Sequence, residues 1–76
     1  MNQARRNSIN KIVAELQNQS ELLAGVIADE QEAFDNMPEG LQQSDKGQSM
    51  EDNLYSLQEQ LDSLEEIISN LESMEV

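Results

Sequence analysis

The residues able to do chemistry in this chain are almost all carboxylates. Asp and Glu number 16 against 4 Lys and Arg, with no His and no Cys. In the C-terminal half Asp52, Glu59 and Glu66 recur every seventh position, and Glu51, Glu65 and Glu72 form most of a neighbouring row. No Lys or Arg follows Lys46. Exposed helices commonly interleave Lys with Glu, since an i,i+4 pair stabilises by ~0.2–0.5 kcal/mol. Here Asp62 and Glu66 form a like-charged i,i+4 pair instead. Such a face is either a solvated surface, the commoner meaning of a charge run, or a negative surface for a basic partner. A second acidic set, Asp29, Glu30, Glu32 and Asp35, with Glu51 and Asp52 close by after a chain reversal, has the composition that helical nucleotide hydrolases use to hold Mg²⁺. The chain offers little to grip a base or a phosphate beside it. A solvated acidic end is the plainer reading, and no metal is expected.

Nucleophilic catalysis has no footing. Serines such as Ser8 and Ser56 lack a histidine to activate them. The three glycines are scattered, so no phosphate-cradling loop is present. Neither an enzyme nor a cofactor is expected. Arg5, Arg6 and Lys11 are the only charged residues in the first fourteen. Gathered from several copies of the chain, they would make a basic pocket for a phosphate-bearing small molecule, with Tyr55 available to stack on a base. Their plainer role is pairing with Glu72 and Glu75 inside the chain, worth ~0–1 kcal/mol per exposed pair. Phe34 reads as core.

The elements that position these residues are helical. One Phe, one Tyr and no Trp among 76 residues argue against a sandwich or barrel. The chain is long enough for one domain, and a domain this size buries only about 60% of its unfolded surface. Without disulfides, folds this small often gain core by oligomerising. No apolar run approaches the ~18 residues of a membrane span, and no apolar stretch follows Arg5-Arg6 as in a secretory signal. A net charge of −12 argues against direct nucleic-acid binding. The expected setting is the cytoplasm, with no membrane partner.

Residues 3–36 read as one helix. With Ile9 set at heptad position a, Leu16, Leu23, Glu30 and Met37 also fall at a. Ile12, Gln19, Val26 and Ala33 fall at d, and Val13, Ile27 and Phe34 at e, with Ser20 between them. This wide a/d/e stripe suits a helix facing more than one neighbour. Pro38 and Gly40 mark a turn over 37–44, with Leu41 expected to tuck over the helix ends. Ser44 is a plausible N-cap, although Gly47 would weaken the start and could shift it to Ser49. The second helix, about 45–74, has a stricter seam: Leu54, Leu61 and Ile68 at a, and Met50, Leu57, Leu64 and Leu71 at d. The fold class is therefore all-α, an antiparallel two-helix hairpin, with Leu16 opposite Ile68, Leu23 opposite Leu61, Ile27 opposite Leu57 and Phe34 opposite Met50.

One hairpin leaves apolar surface uncovered. The run Leu22-Leu23-Ala24-Gly25-Val26-Ile27-Ala28 is apolar around the whole helix, as in helices buried on all sides. Leu22 with the small residues Ala24, Gly25 and Ala28 is the expected surface for self-association into a bundle. A two-fold dimer of four helices is its simplest closed form.

The segment from Asp29 to Gln42, with Asn36-Met37-Pro38-Glu39-Gly40-Leu41-Gln42 at its centre, then Ser44-Asp45-Lys46-Gly47 and a Leu/Glu-rich helix, resembles a family of short helical-hairpin proteins of bacteriophages and prophages. That resemblance covers roughly residues 15–74. It implies a phage protein acting inside a bacterial host cell. Small acidic phage proteins often antagonise host defence, and two types are similar in character to this chain. Anti-CRISPR mimics block a host factor with carboxylates, here Asp52, Glu59, Glu66, Glu51, Glu65 and Glu72. Anti-CBASS sponges oligomerise and sequester a cyclic nucleotide, here with Arg5, Arg6, Lys11 and Tyr55. A structural or assembly role in a phage complex is a third reading.

Overall fold

The computed structural model describes residues 1–74. Three helices form, α1 (Gln3–Asp35), α2 (Glu39–Gln42) and α3 (Asp45–Glu72), and no strand forms among the described residues. Among the described residues no helix is long and apolar enough to cross a membrane.

Each long helix starts at a capping side chain. The Asn2 side-chain oxygen accepts from the Arg5 backbone N–H at 2.9 Å, satisfying one of the donors left without a partner in a helix's first turn. α1 stops at Asp35, where Pro38 begins to disfavour helical backbone at Met37. The 37–44 segment is not wholly irregular: the Leu41 and Gln42 amides both donate to the Pro38 carbonyl, at 2.9 and 3.0 Å, which makes α2. Leu41 does not tuck in; it is 52% exposed. Neighbouring residues of a helical turn point about 100° apart, and here Gln42 turns back. Its Nε2 donates to the Phe34 carbonyl at 2.9 Å, capping the end of α1.

Ser44 caps α3, accepting from the Gly47 amide at 3.3 Å while its hydroxyl donates to the Leu41 carbonyl. The helix starts at Asp45 rather than at Ser49. Gly47 does not weaken this start but permits it. It is buried, and a β-carbon there would collide with the backbone carbonyls of Leu41 and Gln42.

α1 and α3 pack against one another over most of their length. The longest dimension is 58 Å, little more than the ~50 Å that the 33 residues of α1 span at 1.5 Å per residue. The other two are 15 and 13 Å. The radius of gyration is 17.4 Å, against roughly 11 Å for a compact domain of this length. Early α1 meets late α3: Gln17 Nε2 donates to Glu72 Oε1 at 3.0 Å. Late α1 meets early α3: Ile27 and Phe34 line a common groove with Glu51 and Leu54.

α3 turns the expected seam inward. Leu54, Leu61 and Ile68 are buried, and Met50, Leu57, Leu64 and Leu71 are half-buried. α1 departs from its expected stripe. The a and e rows face α3, from Ile9 and Val13 through Leu16, Leu23, Ile27 and Phe34 to Met37, with Ser20 and Glu30 interrupting them. The d row faces outward: Ile12 is 49% and Val26 56% exposed. The a and e rows already alternate spacings of four and three, which is a complete seam. A single neighbouring helix covers no third row. The buried apolar core is small, comprising Val13, Leu54, Leu61 and Ile68 among the described residues.

The two helical glycines have opposite roles, and substitution separates them. A β-carbon at Gly25 would meet nothing within 4 Å, so Gly25→Ala should stabilise by about 1 kcal/mol, raising Tm by about 4–8 °C. Gly47→Ala must displace backbone and should destabilise by roughly 1–3 kcal/mol. Thermal unfolding followed by circular dichroism reads both shifts. Equal, upward shifts would show that Gly47 has no packing role.

Candidate functional site

Around α3, residue types are sorted by direction. One strip is the apolar seam. On one side of it lie all the described carboxylates that follow Asp45: Glu51, Asp52, Glu59, Asp62, Glu65, Glu66 and Glu72, every one exposed. On the other side the rows read Asn53, Gln60, Ile67 and Ser49, Ser56, Ser63, Asn70, without a charge. The six acidic positions singled out from the sequence therefore share one side of one helix.

Little in the chain neutralises that side. The α1 positions flanking it are Gln17, Ala24 and Gln31. Gln17 donates to Glu72, and within α3 Gln58 Nε2 donates to Asp62 Oδ1 at 3.1 Å. Pairing of Glu72 with Arg5, Arg6 or Lys11 does not occur. Lys11 lies on the outer surface of α1, and Arg5 flanks the seam on the side away from Glu72. Arg6 is half-buried at the end of the seam, and its Nε is shielded with no hydrogen-bond partner among the described residues. Glu75 lies outside the described residues.

Apart from Asp45 in the first turn of α3, the charges also oppose the helix dipoles, which favour anions at the N-terminus and cations at the C-terminus by about 0.3–1 kcal/mol each. α1 opens without an acidic residue and α3 closes without a basic one. Local helix stability does not explain this placement.

A groove of about 330 Å³ opens on the acidic side between α1 and α3. Ile27, Phe34 and Leu54 are its apolar members, with Gln31, Gln58, Glu51 and Tyr55 as polar ones. It contains no cation, and a phosphate placed there would meet Glu51. Tyr55 is 71% exposed. The structure does not bring Tyr55 together with Arg5, Arg6 and Lys11 within one chain. The groove lies toward the turn, and the three cations lie in the first third of α1. The sequence marks Tyr55 but not this groove, which depends on how both helices pack.

Leu22, Ala24, Gly25 and Ala28 are all exposed, Leu22 at 58%. They do not form one face. Ala24 flanks the seam on the acidic side, Gly25 and Ala28 lie on the back of α1, and Leu22 turns toward the opposite flank. Asp29, Glu32, Glu51 and Asp52 do not converge: no cluster of three or more acidic side chains able to hold a metal ion occurs among the described residues.

Sequence reasoning missed the uncharged flank. Its signal was legible in the absence of charge from Ser49, Asn53, Ser56, Gln60, Ser63, Ile67 and Asn70. Beside it on α1 run Ile12, Gln19, Val26 and Ala33.

No family model, no curated protein and no solved structure matches this chain.

Proposed function

We propose that this chain is a non-enzymatic binding protein, an antiparallel helical hairpin that self-associates and blocks a basic site on a bacterial host factor with the acidic side of α3. The observation that carries this reading is the exposed ridge of Asp52, Glu59, Glu66, Glu51, Glu65 and Glu72, which the chain's own cations leave unpaired. The hairpin is supported by the packing of α1 on α3 and by the Gln17–Glu72 bond between early α1 and late α3. The phage setting, the antagonism of host defence and the bacterial cytoplasm rest on the resemblance of the turn segment and its following helix.

A ridge of this kind acts first on encounter. A strongly negative surface steers a basic partner into contact and loses much of that effect as salt screens it. The ridge holds its carboxylates at the expense of helix stability. Lys at position 66 would follow Asp62 by four residues, the favourable order for an ion pair on a helix.

One observation favours a second reading, the cyclic-nucleotide sponge. The shielded Nε of Arg6 has no partner among the described residues, and Arg5 and Lys11 are exposed nearby along α1. Copies of the chain would have to pool these cations.

Glu66→Lys alone should stabilise the helix by about 0.5 kcal/mol through the new pair and the lost repulsion. The triple variant Asp52→Lys, Glu59→Lys, Glu66→Lys should remain helical yet capture at least tenfold less of any host protein retained by the native chain from a bacterial lysate. Undiminished capture by the triple variant would rule out the acidic ridge. Native mass spectrometry that finds a nucleotide on the native chain, lost in Arg5→Ala with Arg6→Ala, would transfer the proposal to the sponge.

A further inference from the structure

Among the described residues eight large apolar side chains remain substantially exposed, and four of them lie on the flank opposite the acidic ridge: Ile12, Leu22, Val26 and Ile67. The Gln17–Glu72 bond sets Ile67, which lies more than one helical turn nearer the turn end than Glu72, alongside the Gln19–Leu22 stretch of α1. Ile12 then lies toward the chain termini, with Leu22 and Val26 toward the turn. Charge reaches this flank only at its margin, at Glu15 and Asp29 of α1, and at its two ends, at Arg5 of α1 and Lys46 of α3.

The chain also exposes more surface than a closed fold of its size. Its accessible area is 5701 Å², against roughly 4,700 Å² for a compact monomer of this mass. The excess, on the order of 1,000 Å², is close to the ~800 Å² that each partner contributes to a specific interface. The flank runs the 58 Å length of the molecule and is about 15 Å across, so it has room for such an interface.

Charge selects the occupant. A basic partner gains nothing from a flank without carboxylates. A chain of net charge −12 can approach its own copy closely only where carboxylates are missing. Charge also selects the direction. The turn end carries Asp29, Glu30, Glu32, Asp35, Glu39, Asp45, Glu51 and Asp52 against Lys46 alone, whereas near the termini Arg5, Arg6 and Lys11 offset Glu65, Glu66 and Glu72. Copies running the same way would stack the two acidic turn ends.

We propose that a second copy of this chain covers the uncharged flank, in a two-fold arrangement that runs the copies in opposite directions and places Gln19 and Ile67 near their own symmetry mates. Ile12 of each copy then covers Leu22 and Val26 of the other, and α1 packs on α1 while α3 packs on α3. The acidic ridges of both copies face outward. The inference rests on the self-association proposed above and is independent of what the acidic ridge binds.

The chain has no cysteine, so a single introduced thiol reports on one position. Gln19→Cys lies near the proposed axis, and Gly25→Cys on the back of α1 serves as control. Both positions are exposed, and helix content by circular dichroism verifies the fold of each variant. Under mild oxidation Gln19→Cys should form a disulfide-linked dimer at least tenfold faster than Gly25→Cys, and the native chain should sediment at twice its 8.6 kDa mass. A native chain that sediments as a monomer at high concentration overturns the self-association itself. A native dimer in which Gly25→Cys cross-links as fast as Gln19→Cys, or faster, leaves self-association standing and overturns this face.

Discussion

The seam between α1 and α3 is where the described chain buries apolar surface, and it buries little. Among the described residues four apolar side chains are buried, each still 6–9% exposed, and no large side chain is completely removed from water. Neither a disulfide nor a metal cluster among the described residues supplements them. The turn is therefore built for close approach. Gln42, Ser44 and Gly47 join α2 to both long helices, through hydrogen bonds to the Phe34 and Leu41 carbonyls and a buried glycine. With so small a core, each backbone group left unsatisfied would be a large fraction of the net stability.

Once the seam is fixed, the direction of every other side chain on α3 follows from the 3.6-residue helical repeat. That geometry turns a string of acidic, amide and serine residues into two different surfaces. One is crowded with like charge that the chain does not neutralise. The other carries Ile67 among uncharged polar residues and lies beside the exposed Ile12 and Val26 of α1. Close contact between identical acidic molecules is disfavoured on the first and permitted on the second. The two flanks are therefore compatible with simultaneous use, one for a basic partner and one for a second copy.

Much of this was legible in the sequence, unevenly. The α3 seam was plain because all seven of its positions from Met50 to Leu71 are apolar and nothing competes with them. The exposure of Asp52, Glu59 and Glu66 followed from that seam. α1 was ambiguous because three apolar rows share one helix, and which two turn inward depends on the number of neighbours. The Ser44 cap was readable, yet the effect of Gly47 was not. Helix propensity treats glycine as a defect, and only the approach of the Leu41 and Gln42 carbonyls reverses its sign. Pairing of Glu72 with the N-terminal cations looked reasonable from charge alone. It failed because charge counts do not record the flank on which a side chain emerges. The uncharged flank was present as a pattern of absences, which is harder to notice than a motif.

Small-angle X-ray scattering of the native chain tests the central claim, that copies associate flank to flank through the uncharged side. The expected result is twice the single-chain mass with a maximum dimension close to that of one copy, whose longest extent is 58 Å. A single-chain mass, or a doubled mass with a nearly doubled length, would contradict it.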